Sequence, residues 1–229
     1  MSLRFPSINI ITYNRSGSTL LCGLLNSIPG VLIRGENNFF VYHLFQSYLR
    51  LVEAKSMPHT AQASTPAHPW YGIQDVDLDT YLDDLRKLIR NVLLPPELRE
   101  TNICYGFKEV RYPYMSKIAD LDKFLQFIRL VMPATAFVFN FRDHEEVLKS
   151  GVWSKGNEAK GQALLSGFEP RARLYAGAHL DHSFTIEYAE IAGGGARLRE
   201  MFDFLGADYD ITAINKVLAV DHSTITSRP

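Results

Sequence analysis

The stretch Ile8 to Leu21, Ile-Asn-Ile-Ile-Thr-Tyr-Asn-Arg-Ser-Gly-Ser-Thr-Leu-Leu, constrains this chain more than any other. Ile8 to Tyr13 is short, apolar and β-branched, the pattern of a buried strand. Asn14 to Ser18 is a polar turn with one glycine. From Thr19 the period becomes helical, with Leu20, Leu21, Leu24 and Leu25 on one face. The stretch therefore predicts strand, tight loop, helix. A loop at a helix N-terminus offers free N–H groups and the positive end of the dipole to an anion. Gly17 permits close backbone approach. Ser18 and Thr19 add hydroxyls, and Arg15 adds a fork suited to phosphate or sulfate oxygens.

Further strands are expected at Asn102 to Phe107, Ala134 to Phe141 and Phe184 to Tyr188. Helices are expected at Phe39 to Val52, Asp77 to Leu94, Leu121 to Val131, Glu145 to Trp153, Arg171 to Leu180 and Ala196 to Leu205. This alternation predicts a three-layer α/β fold, a mostly parallel central sheet with helices on both faces. The length suits a single domain over residues 1–229. Residues 55–70, with Pro58, Pro66 and Pro69, read as a loop able to act as a lid. The Gly-rich residues 155–170 read as a second mobile loop.

In such sheets ligands bind beyond the carboxyl ends of the strands. Basic groups gather at those ends: Arg15, then Lys108 to Arg111, then Arg142. Arg142-Asp143 is followed by Ser150 on what reads as the next helix, so the arginine and the serine can reach one phosphate. The net charge of −1, from 24 basic and 25 acidic residues, argues against a general nucleic-acid-binding role. No apolar run reaches membrane-spanning length. Cys22 and Cys104 sit in apolar settings, as core residues of a reducing compartment do. With no signal-peptide pattern at the start, a cytoplasmic location is expected. His179 and His182 lack nearby cysteine or carboxylate partners, read as a surface feature, and suggest no metal site.

Arg15-Ser-Gly-Ser-Thr after the first strand resembles the 5′-phosphosulfate loop of the PAPS-dependent sulfotransferases (PAPS is 3′-phosphoadenosine 5′-phosphosulfate). In style it is nearest to the carbohydrate, tyrosylprotein and bacterial members. Arg142-Asp143-His144 with Ser150 resembles that family's 3′-phosphate signature, with His144 in place of a proline. Tyr188 and Phe204-Leu205-Gly206 are similar to its C-terminal region, and Tyr105 to Arg111 to a segment that supplies a lysine to the transferred group. The resemblance implies a P-loop-like architecture and cofactor contacts from Arg15, Ser16, Gly17, Ser18, Thr19, Arg142, Ser150 and Tyr188. It implies catalytic roles for Glu36 as general base, and for Lys108 and Arg15 as cations at the transferred group. Glu109, His43 and His59 are alternative bases. PAPS would be the donor and 3′,5′-ADP (PAP) the product, with no metal required. The acceptor would carry a hydroxyl, on a sugar, phenol, lipid or small metabolite. Phe39, Phe40, Tyr42, Trp70 and Tyr71 either wall its cleft or belong to the core.

Two other readings remain. A P-loop kinase needs a loop lysine and an acidic magnesium ligand. Asp143 could serve as the latter, but no lysine precedes Lys55. A non-catalytic nucleotide-binding protein on the same fold is expected to lack Glu36, Lys108 or Arg142, and all are present.

Overall fold

The computed structural model describes residues 3–151 and 153–220. Five parallel strands form one sheet: β1 (Ser7–Ile11), β2 (Val31–Arg34), β3 (Cys104–Glu109), β4 (Thr135–Phe141) and β5 (Ser183–Glu187), in the order β2-β3-β1-β4-β5. β1 and β4 are buried along their whole length, as strands covered on both faces must be. Asn9 is buried too, but its amide is satisfied: it donates to Thr135 Oγ1 at 2.8 Å and accepts from the Phe107 N–H at 3.1 Å, tying β1 to both neighbours.

The period of two along β4 divides the core. Phe137, Phe139 and Phe141 face one layer, with side chains of α2 (Phe40–Ser56), α3 (Leu78–Leu93), α4 (Leu121–Val131) and α6 (Glu158–Ala178). Ala136 and Val138 face the other, with α1 (Ser18–Asn26), α8 (Ala196–Leu205) and α9 (Ile211–Leu218). Two short helices, α5 (His144–Leu148) and α7 (Tyr188–Ala192), follow β4 and β5 directly. Among the described residues, no helix is long and apolar enough to cross a membrane.

The three-layer α/β architecture expected from the alternation is the one found. Several details differ. Residues 158–170 belong to α6, not to a loop. Gly161 and Pro170 read as breakers, yet Leu165, Phe168, Ala172, Tyr175 and Ala176 recur at helical spacing and are buried. Gly161 is there for contact: a Cβ would lie 2.6 Å from Leu148 Cδ2 and 2.9 Å from Trp153 Cε3. Burial of this face outweighs the roughly 1 kcal/mol that a helical glycine costs. β2, α7 and α9 are short elements that the residue pattern did not announce. Lys108 and Glu109, expected after a strand, pair within it, opposite Ile10 and Ile11. Residues 58–62 form a 3-10 helix. Lys55 leads into it and donates to the carbonyls of Gln74, at 2.8 Å, and Val76, at 2.5 Å.

Candidate active site

The carboxyl ends of β1, β3 and β4 open into one cavity of about 1260 Å³. That is above the usual range for a single small ligand, roughly 300–1,000 Å³. Arg15, Lys108, Arg111 and Arg142 line it, and Glu36 is the one carboxylate among the described residues that do so.

The floor comes from the loop after β1. Arg15 and Gly17 both hold positive φ, 70° and 82°. For Arg15 this is a strained backbone, of a kind that concentrates at functional sites. Gly17 is the N-cap of α1, whose first turn has neither a side-chain cap nor an acidic residue. Gly17, Ser18 and Thr19 line the cavity, so this free helix end faces it. Ser16 does not. It is fully buried, with its Oγ 2.6 Å from Thr12 Oγ1, which also lies 2.7 Å from the Asn140 carbonyl oxygen. The Ser16 hydroxyl is engaged with Thr12, whose own hydroxyl reaches β4, and is no ligand candidate.

Arg142 leaves the end of β4. Its guanidinium stacks over the Tyr188 ring at 4.2 Å, donates to the Arg15 carbonyl at 3.3 Å and pairs with Glu146 at 2.9 Å. Tyr188 opens α7 and lies across Gly17. Ser150 was expected on the helix after β4, but α5 ends at Leu148. The Ser150 hydroxyl donates to the Val147 carbonyl at 2.9 Å and accepts from Arg15 Nε at 3.3 Å. It therefore sits behind Arg15 and outside the cavity lining, so the two sequence signatures meet through the arginine.

On the opposite side, Lys108 reaches Glu36 with Nζ to Oε1 at 2.7 Å. Lys108 is nearly buried, its side chain 9% exposed, whereas Glu36 is 38% exposed. A buried ammonium needs such a partner. Glu109 is not placed as a base. Its buried carboxylate accepts the N–H groups of Phe39 at 2.7 Å, Val110 at 2.8 Å and Arg111 at 3.2 Å. It pairs with these amides and not with the arginine side chains at 111 or 142. It thereby fixes the Asn38–Phe39 bend, where φ is 56° and 64°. His43 is exposed on the cavity wall; His59 is not in it and faces Trp70 at 6.0 Å. Phe39 and Tyr42, stacked at 4.4 Å, form part of the wall, while Phe40, Trp70 and Tyr71 do not line it. Arg111, Tyr114 and Ser116 complete this side. Arg111 was visible as the end of the Lys108 run, but Tyr114 and Ser116 follow in a segment with no motif.

Among the described residues no group of three histidines, cysteines or carboxylates is placed to hold a metal ion. His182 is buried, contrary to its reading as a surface residue. Arg129 Nη1 lies 2.6 Å from its Nδ1 and 2.8 Å from its Nε2, and the Asp181 carboxylate lies 2.9 Å from Nδ1, so the ring is held between a cation and an anion. Burial raises the thiol pKa of both cysteines, that of Cys104 to about 12.

A solved structure, the sulfotransferase domain of the olefin synthase from Synechococcus PCC 7002, superposes on 97% of this chain and 80% of its own, with a TM-score of 0.58 and 17% identity. The chain has the fold of a sulfotransferase domain. No family model and no curated protein matches its sequence. At this identity the likeness speaks for the fold, and the chemistry has to be argued from the residues.

Proposed function

We propose that this chain is a PAPS-dependent sulfotransferase that moves a sulfuryl group to an acceptor hydroxyl. The observation that carries the reading is one cavity shared by two features: the uncapped end of α1 with Arg15, and the Lys108–Glu36 pair at 2.7 Å. The residues fit a donor of this kind. Gly17 lets the Tyr188 ring lie against the loop, where any side chain would collide with it. Arg15 and Arg142 supply cations at the two corners of the loop.

When bound, PAPS supplies a sulfuryl group on a good leaving group, the 5′-phosphate of PAP. The chain's residues do the rest. The N–H groups of Gly17, Ser18 and Thr19 hold the 5′ end, and Arg142 beside Tyr188 holds the 3′-phosphate and adenine side. Glu36 accepts the acceptor's proton as its oxygen bonds to sulfur and the bond from sulfur to the phosphate oxygen breaks. A carboxylate cannot ionise an alcohol in advance, but it serves as base while the bond forms. Lys108 has three N–H donors, of which one is used on Glu36. The others stabilise charge on the bridging and sulfuryl oxygens. Protonation of Glu36 weakens its hold on Lys108 as negative charge grows on the leaving phosphate, so base and cation act in concert. Phe39, Tyr42 and Tyr114 form the acceptor's wall.

Thermal shift tests the donor assignment. PAP should stabilise the protein more than ATP with magnesium at equal concentration. The reverse order would point to a kinase and remove the proposal.

A further inference from the structure

Tyr13 lies immediately before the anion loop and does not line the cavity. It is 1% exposed, and its hydroxyl is the meeting point of three elements. It accepts the N–H of Arg142 at 2.9 Å. Its own proton has two acceptors in reach, the Arg142 carbonyl at 2.8 Å and Glu169 Oε2 on α6 at 2.9 Å. The same Oε2 lies 2.8 Å from His144 Nε2, and Arg173 Nε donates to Oε1 at 2.8 Å. The backbone at Arg142 is thus clamped by a phenol from the segment after β1, and that phenol is fixed by the half-buried Glu169 carboxylate.

We propose that Tyr13, oriented by Glu169, is a positioning residue that couples the two anion-binding corners of the cavity. The inference rests on the reading of Arg142 as the 3′-phosphate ligand. Two residues after Tyr13 the chain turns at Arg15; two residues after the clamped Arg142 it enters α5 through His144. The Arg142 side chain already touches the Arg15 carbonyl at 3.3 Å, so the corners meet twice, once through the guanidinium and once through the phenol. Burial first, and the charge of Glu169 beside it, raise the phenol's pKa far above its ordinary value, against the Arg142 N–H that lowers it. The group keeps its proton, and the clamp is a fixed hydrogen-bond device. His144 makes the same brace from the other side. It takes the first position of α5, where a proline's missing N–H and fixed φ would be tolerated. Stiffness that a proline would build into the backbone is here supplied by a side-chain contact to α6.

The test compares PAP with 5′-AMP by calorimetry in Tyr13→Phe. The ring stays and only the hydroxyl is lost. The ratio of the two affinities should fall about tenfold, with 5′-AMP affinity unchanged, because only the 3′ corner loses its alignment. Glu169→Gln, which keeps the side-chain volume, should lower the ratio in the same direction by less, and answers the question if Tyr13→Phe does not fold. Adding His144→Pro to Glu169→Gln should recover part of the ratio. An unchanged ratio in both single variants, or an equal loss for both nucleotides, overturns the coupling role. A wild-type protein that does not distinguish the two nucleotides overturns the nucleotide assignment itself, and the coupling with it.

Discussion

Gly17 is where backbone conformation, packing and the candidate anion site coincide, so one added methyl group is a sharp probe. In Gly17→Ala the Cβ would stand 2.1 Å from Tyr188 Cδ2 and 2.5 Å from Cε2, at a residue with φ of 82°. Carbon atoms pack at about 3.5–4.0 Å, so the ring must retreat by more than about 1 Å. Holding an L-residue in the left-handed region costs about 1–2 kcal/mol. For a domain of this size that lowers Tm by about 2–8 °C. Tyr188 cannot retreat alone, because the Arg142 guanidinium stacks on it at 4.2 Å. PAP affinity should therefore drop by about 1.5–3 kcal/mol, ten- to a hundredfold or slightly more, as both groups lose their places. Gly30→Ala separates strain from collision: φ there is 77°, and a Cβ would meet nothing within 4 Å. It should lower Tm comparably and leave PAP affinity unchanged. Differential scanning calorimetry and titration calorimetry on both variants give the answer. A Gly17→Ala protein that binds PAP normally would refute the placement of the nucleotide over this loop.

Other expectations follow from single contacts. Glu36→Gln should keep PAP affinity within a few-fold and lose turnover by on the order of 10²–10⁴, read in single-turnover assays once an acceptor is in hand. Near-normal turnover would move the base to His43. Glu109→Gln replaces a buried acceptor of three amides, so it should destabilise by about 1–3 kcal/mol in urea titration. A neutral result would mean that Phe39 does not depend on that anchor. Burial holds the His182 pKa below its ordinary value, with Asp181 opposing. Below about pH 6.5 the unfolded chain then binds more protons than the folded one. Stability should fall as pH drops from there toward the folded pKa, by at most about 1.4 kcal/mol per pH unit. His182→Gln should flatten that slope in denaturant midpoints.

The fold was legible because its strongest signals are local. β1, β4 and α4 announce themselves by burial pattern and period, and α4 runs over Leu121–Val131 as the spacing predicts. What was hidden depends on contacts distant in sequence. Nothing near Gly161 says that it packs on Leu148 and Trp153 and so does not end a helix. Val31-Leu32-Ile33 is too short to separate a strand from a connector until β3 pairs with it. At the site, residue types at strand ends pointed to Arg15, Gly17, Lys108 and Arg142, since a parallel sheet delivers those ends to one edge. Distances decided the rest. Ser16 turns into the core, Ser150 stands behind Arg15, and Glu109 serves backbone amides. Tyr13 had no functional signal at all, because its partners at Arg142 and Glu169 lie more than a hundred residues away.

A nucleotide bearing phosphate at both ends of its ribose is the ligand proposed for this cavity. Titration calorimetry of PAP against 5′-AMP on the wild-type protein tests it most directly. PAP should bind about ten- to a hundredfold more tightly, from one charge-assisted contact worth about 1.5–3 kcal/mol. The difference should largely vanish in Arg142→Ala. Equal affinities for the two nucleotides, or a preference that survives the loss of Arg142, would contradict it.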